Sequence, residues 1–171
     1  MNDRYDTFSQ RFFAGIIDAI ILTPLGFIEK IVENFADITA IIVGLTIVHG
    51  ITFSYSIIMH WQTGQTLGKI IMKVKVLHVS ESRLLSLRES FMRDSVYVLI
   101  ETISLFILFA QTILKGEYTD YEGWVAGILG SIGFVWFLVE IITMFGNDKK
   151  RAFHDLMADS VVVNENITLT P

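Results

Sequence analysis

The chain has 171 residues, 52% of them hydrophobic, a formal net charge of -5 and no cysteine. That length suits one domain, and the missing thiol excludes disulfides, thiolate metal sites and cysteine nucleophiles. The mean composition is only slightly above that of soluble proteins, so the class is decided by how the apolar residues are segmented.

Four long apolar runs stand out. Phe12 to Ile28 is 17 residues broken by Asp18, and Ile38 to Trp61 is 24 with no formal charge. Ser95 to Leu114 is 20 around Glu101, and Trp124 to Phe145 is 22 around Glu140. A spanning helix needs roughly 20 mostly apolar residues. Helices of a soluble bundle carry a dense polar face, which these runs lack. The predicted fold is an all-α integral membrane protein of one domain, residues 1–171. It has four transmembrane helices, at about 11–28, 38–61, 93–114 and 124–145.

The N-terminal "MNDRYDTFSQR" is mixed in charge, and no small-residue cleavage site follows the first run, so that run is expected to be a retained span rather than a signal peptide. Inside it, "RFFAGIID" sets Asp18 seven residues after Arg11. The two share a helix face about 10 Å apart along the axis, too far for a direct pair. Arg11 sits at the membrane edge, while Asp18 lies deeper and needs another partner or a proton, since an unpaired buried ion is costly. Gly15 lies on the same face, where it would admit a neighbouring helix. Pro24 is expected to loosen the helix beyond Asp18.

The second run places Thr46, His49, Thr52, Ser56 and His60 on one stripe. The segment about 62–90 follows, with Lys69, Lys73, Lys75, Arg83 and Arg88. The tail, about 146–171, adds Lys149, Lys150 and Arg151, whereas "EKIVENFAD" and "KGEYTDYEG" are acidic. The positive-inside rule then places both termini and 62–90 in the cytoplasm. "GQTLGK" fails as a phosphate loop: it is one residue short between glycines, and no Ser or Thr follows Lys69. It reads as a turn, with Lys69, Lys73 and Lys75 available to anionic lipid headgroups. "KVKVLHV" alternates as a half-buried strand. A small cytoplasmic cap sheet is predicted from 73–79, 83–87 and 160–164. Ser86 and Glu89 have capping-box spacing, so the third long helix is predicted to start before the membrane and enter it near Arg93.

The third run aligns Asp94, Tyr97, Glu101, Ser104, Leu108 and Gln111 on one stripe, and the fourth offers Gly123, Gly127 and Ser131 as a small-residue seam. Two readings compete for the polar set. One is interhelical hydrogen bonding that fixes packing. The other is an ion or proton path built from Asp18, His49, Glu101 and Glu140, because carboxylates at membrane depth are usually functional. "AFHD" with Asp159 is too sparse for a metal site. There is no "HExxH" and no serine–lysine or serine–histidine pairing, so no enzyme, metal or cofactor is expected.

Taken together, "RFFAGIID", "GQTLGKIIMKVKV", "LRESFMRD" and "KKRAFHDLMADSVVV", in that order, resemble the RDD family of bacterial integral membrane proteins. The resemblance covers most of the chain. Carried over, the family's arginine and first aspartate are Arg11 and Asp18, and its second aspartate maps to Asp155. "ADSVV" at 158–162 departs from the glycine–threonine pair expected there. The resemblance implies a multi-pass protein of the bacterial cytoplasmic membrane. It implies transport, cation/proton antiport included, or an accessory subunit of a membrane complex. The expected partners are the bilayer and either a second copy or another membrane protein, with no nucleic acid. Arg11 is expected to pair with Asp155, pinning the tail to the first helix. Asp18 is expected to meet Arg93, a cap lysine or a proton.

Overall fold

The structure, a computed structural model, describes the backbone of residues 3–35, 38–114 and 119–167. It leaves out the side chains of 3, 29, 30, 32–35, 38, 39, 42, 101, 104, 108, 109, 111–114, 119–126 and 129. A short 3-10 turn, Asp3–Tyr5, leads into α1 (Phe8–Phe35) and α2 (Ile38–Gln62). The short α3 (Leu67–Ile71) and β1 (Val74–His78) follow. Then come α4 (Leu87–Leu114), α5 (Thr119–Phe145), the short α6 (Phe153–Met157) and β2 (Ser160–Asn164).

The long helices extend beyond the apolar runs. Of the acidic segments 29–37 and 115–123, residues 29–35 and 119–123 are helical, and the rest lies outside the described residues. Pro24 sits inside α1 without ending it. Among the described residues, Phe8–Ile28 and Val43–Gln62 are long and apolar enough to cross a membrane, with mean hydropathies of 1.7 and 1.3. Only 6% and 17% of their most apolar stretches are buried, so neither is the core helix of a soluble protein. Ile20, Phe27, Phe106 and Ile142 are 64–69% exposed. Apolar surface of that extent is unfavourable in water and suits lipid. A mostly helical chain with these segments points to a membrane protein.

The helices pack in a chain of neighbours. α2 lies against α1 and α4, α3 tucks against α1, and α5 meets α4 and α6. Beyond one end of the bundle, β1 and β2 pair antiparallel, with Val76 opposite Val162. A two-stranded sheet is marginal alone, and here both faces are covered. Val74, Val76 and Val162 pack with Leu85 and Met72 on one face. Val161 and Val163 pack with Tyr5 and Leu77 on the other. Gly64 is required beside this sheet. Its φ is +75°, and a Cβ would sit 2.6 Å from the Val76 carbonyl oxygen, while its own carbonyl accepts from the Val76 amide at 2.8 Å.

The predicted third strand, 83–87, does not form. The His78 amide reaches the Arg83 carbonyl at 3.1 Å, after which the chain turns into α4. Ser86 and Glu89 make the reciprocal capping bonds, 2.7 Å from the Ser86 amide to Glu89 Oε2 and 3.3 Å from the Glu89 amide to Ser86 Oγ. Arg83 adds a two-pronged contact to the same carboxylate. The cap thus claims the residues that a longer strand would have used.

Candidate functional site

Asp18 is held by a loop rather than by a cation. Its carboxylate accepts from Tyr55 Oη at 2.8 Å, Thr66 Oγ1 at 2.6 Å and the Gly68 amide at 2.8 Å. Tyr55 Oη also accepts from the Leu67 amide at 2.8 Å. Such donors satisfy an ionised carboxylate without a formal partner charge. The contact needs backbone proximity. A Cβ on Gly68 would overlap the Ala14 carbonyl and lie 2.9 Å from Asp18 Cγ. "GQTLGK" is therefore the loop that closes over α1. Among the described residues none of the expected cationic partners lies within ion-pair distance of Asp18: Arg93 goes to Asp155 and Lys75 lies near Glu165. Gly15 admits no neighbour among the described residues: none lies within 4 Å of where its Cβ would be.

Arg11 and Asp155 do meet, through Arg11 Nη2 and Asp155 Oδ2. Arg93 approaches the other oxygen at 3.0 Å, Ser160 Oγ donates to it at 2.9 Å, and the Ala152 amide donates to Oδ2 at 3.0 Å. Asp155 is fully buried and Arg93 is 3% exposed. Burial opposes ionisation of Asp155, but the two guanidinium groups outweigh it and hold the carboxyl below the usual range. His154 completes the cluster. Its Nε2 lies 2.8 Å from Arg93 Nη2 and its Nδ1 lies 2.6 Å from Glu140 Oε2. Guanidinium groups only donate, so Nε2 accepts and Nδ1 carries the hydrogen. Burial also lowers the His154 pKa, which keeps the ring neutral. Two arginines thus face the single Asp155 carboxylate. The cluster ties α1, α4, α5 and α6 together.

A cavity of about 550 Å³ opens between α1, α2 and α4. Its polar lining includes Thr52, Ser56, His60, Lys69, Asp94 and Tyr97, and its apolar lining includes Leu22, Val48, Phe53 and Val98. Asp94 accepts from Ser56 Oγ at 2.7 Å, and its Oδ2 is 3.5 Å from His60 Nδ1. His60 is 2% exposed, and its Nε2 is buried without a partner among the described residues. Lys69 Nζ donates to Thr66 Oγ1 at 3.5 Å. Burial, seconded by Arg93, brings the Lys69 ammonium down to about 8, so it is still mostly charged at neutral pH. Volume and mixed lining are those of a small-molecule site.

The family model of the RDD family matches residues 5–159. That span includes Arg11, Asp18, the Gly-Gln-Thr-Leu-Gly-Lys loop and Asp155. The chain belongs to the RDD family. No curated protein and no solved structure matches it.

The three residues that the resemblance singled out lie in two separate clamps: Asp18 under the 64–69 loop, and Arg11 with Asp155 at the α6 junction. Of the residues considered for an ion path, His49 lines the cavity. Asp18 is bonded to the loop, Glu140 belongs to the arginine cluster, and the side chain of Glu101 lies outside the described residues. The second-run stripe does converge, since His49, Thr52, Ser56 and His60 all line the cavity. Among the residues assigned to lipid or cap contact, Lys69 turns into the cavity and Arg93 is buried against the tail. Lys73 is exposed, and Lys75 lies 3.9 Å from Glu165. Asp94, Lys69 and His60 were not singled out together by the sequence. The signal was present in the two polar stripes, but Lys69 joins them only through the fold of the intervening loop.

Proposed function

We propose that this RDD chain moves a cation or small solute, coupled to protons, through the α1/α2/α4 cavity. The observation that carries this reading is a charged and hydroxyl-lined cavity inside a helical bundle whose exterior is apolar. Asp94 is the carboxylate set in that cavity, so it replaces Asp18 and Glu101 as the residue that meets the transported species. In this reading α1, α2, α4 and α5 are four spans of a bacterial inner membrane, and the sheet is a cytoplasmic cap. Both termini are cytoplasmic, Lys73 and Lys75 face anionic headgroups, and four helices make a wall thin enough to require an oligomer. The sorting of lysine and arginine along the chain supports that orientation.

Two measurements test it. Purified protein in proteoliposomes carrying a pH-sensitive dye is expected to show solute- or cation-dependent proton movement. Asp94→Asn is expected to reduce that movement at least about tenfold, the loss of one charge-assisted contact. No such movement with the native chain would sink transport. For orientation, Lys75→Cys is expected to react with an impermeant thiol reagent only in inside-out vesicles. Labelling from the periplasmic side would reverse the topology.

A second reading, an accessory subunit of a membrane complex, is favoured by a different surface. An apolar groove of about 780 Å³ runs between α4 and α5, lined by Leu99, Ile103, Gly127, Ser131 and Val135 among others. Among the described residues nothing lies within 4 Å of a Cβ built on Gly127, Gly130 or Gly133.

A further inference from the structure

The reading of the α1/α2/α4 cavity as a solute site leaves open what it holds. Its two formal charges narrow the answer. Among the described residues Lys69 makes no ion pair, and its one hydrogen bond is long, 3.5 Å to Thr66 Oγ1. Lys69 is only partly exposed, and Asp94 and Asp18 act on its ammonium from beyond ion-pair distance, so an anionic ligand group against it supplies the close counterion it lacks. Asp94 presents the opposite need. Ser56 Oγ and His60 Nδ1 approach the same atom, Oδ2, at 2.7 and 3.5 Å. Those contacts leave Asp94 with unused acceptor capacity. A simple inorganic cation entering this cavity meets Lys69, and a simple anion meets Asp94. A molecule carrying both charges meets neither repulsion, and Leu22, Val48, Phe53 and Val98 offer an apolar wall for the remainder.

We propose that the cavity binds a small zwitterion of the α-amino-acid class. Its carboxylate lies toward Lys69 and its ammonium toward Asp94. This inference rests on the cavity being the solute site. It does not require that the solute be transported.

The test uses the full purified chain in detergent or nanodiscs, with calorimetric titration of L-leucine and two analogues of matching hydrocarbon. One is 4-methylpentanoate, which has only the carboxylate, and the other is 3-methylbutylamine, which has only the ammonium. A thermal-shift panel of the other natural L-amino acids covers side-chain preference. The expected result is that at least one L-amino acid binds, at least about tenfold tighter than its analogue lacking either charge. Lys69→Met is expected to erase the preference over the amine, and Asp94→Asn the preference over the carboxylate. The wild-type comparison needs no variant, so a variant that fails to fold does not blunt the test. The proposal is overturned if no L-amino acid binds, or if a singly charged analogue binds as well as its zwitterion. Cation-driven proton flux without amino-acid binding removes this inference and leaves the transport reading standing. Binding without flux does the reverse.

Discussion

Replacing Asp155 by alanine is expected to cost more stability than any other single truncation at the polar end of the bundle, about 3–5 kcal/mol. The change strips the shared counterion from Arg11 and Arg93, the latter 3% exposed. It also removes the acceptor of the Ala152 amide and of Ser160 Oγ. The loss is large because the charges left behind are buried. The proper control is Asp159→Ala. Asp159 also faces an arginine, Arg151 at 3.6 Å, but its side chain is 71% exposed. An exposed pair of that kind contributes about 0–1 kcal/mol, so that variant is expected to melt close to the native protein. Thermal unfolding in one detergent, followed by tryptophan fluorescence, compares the two. Equal melting temperatures for Asp155→Ala and Asp159→Ala would show that the buried cluster is not what pins the tail to α1 and α4.

The second large effect is expected at Gly68. Alanine there drives a Cβ into the Ala14 carbonyl and against Asp18 Cγ. Backbone on one side and a bonded carboxylate on the other leave no flexible group to yield. Overpacking of this kind costs about 1–3 kcal/mol. If the loop lifts to relieve it, the bonds from Gly68 and Thr66 to Asp18 are lost, at about 1.5–3 kcal/mol for a charged acceptor. Gly15→Ala, three residues from Asp18 on the same helix, has open space around it and is expected to be neutral or slightly stabilising. The pair separates two accounts of why "RFFAGIID" carries a small residue near its aspartate. A native-like melting temperature for Gly68→Ala would remove the close approach of loop and helix as a structural requirement.

The Asp18 clamp also positions Lys69. The Thr66 hydroxyl that donates to Asp18 also accepts from Lys69 Nζ. Closure of the loop over α1 therefore sets where the ammonium enters the cavity. A change at Asp18 or Gly68 is expected to alter ligand affinity even though neither residue lines the cavity. Asp18 is in that sense a positioning residue.

Much of this was legible in the sequence because it rests on local pattern. The long apolar helices follow from runs of residues with few charges. The alternating valines of 74–76 announce β1, and Ser86 with Glu89 announces the start of α4. The pairing of Arg11 with Asp155 was legible for a different reason. The family resemblance marks both residues, and no spacing in the sequence joins them. What the sequence alone does not determine is how distant segments share the polar groups. Arg93 and Asp18 are each plausible ion partners in one dimension, yet Arg93 goes to Asp155 and Asp18 to hydroxyl and amide donors. That choice depends on Gly68 letting the loop backbone approach the Ala14 carbonyl more closely than any side chain allows, a clearance that no spacing rule encodes. The strand predicted at 83–87 yielded to a helix cap for a similar reason: two local structures competed for the same residues, and packing of Leu85 beneath β1 accompanied the second. The sequence determined which segments are apolar and where charge collects. The tertiary structure alone decided that Lys69, His60 and Asp94 face one cavity. They come from α3, α2 and α4, and only the folding of the loop between α2 and β1 brings the lysine back over the helices it has just left.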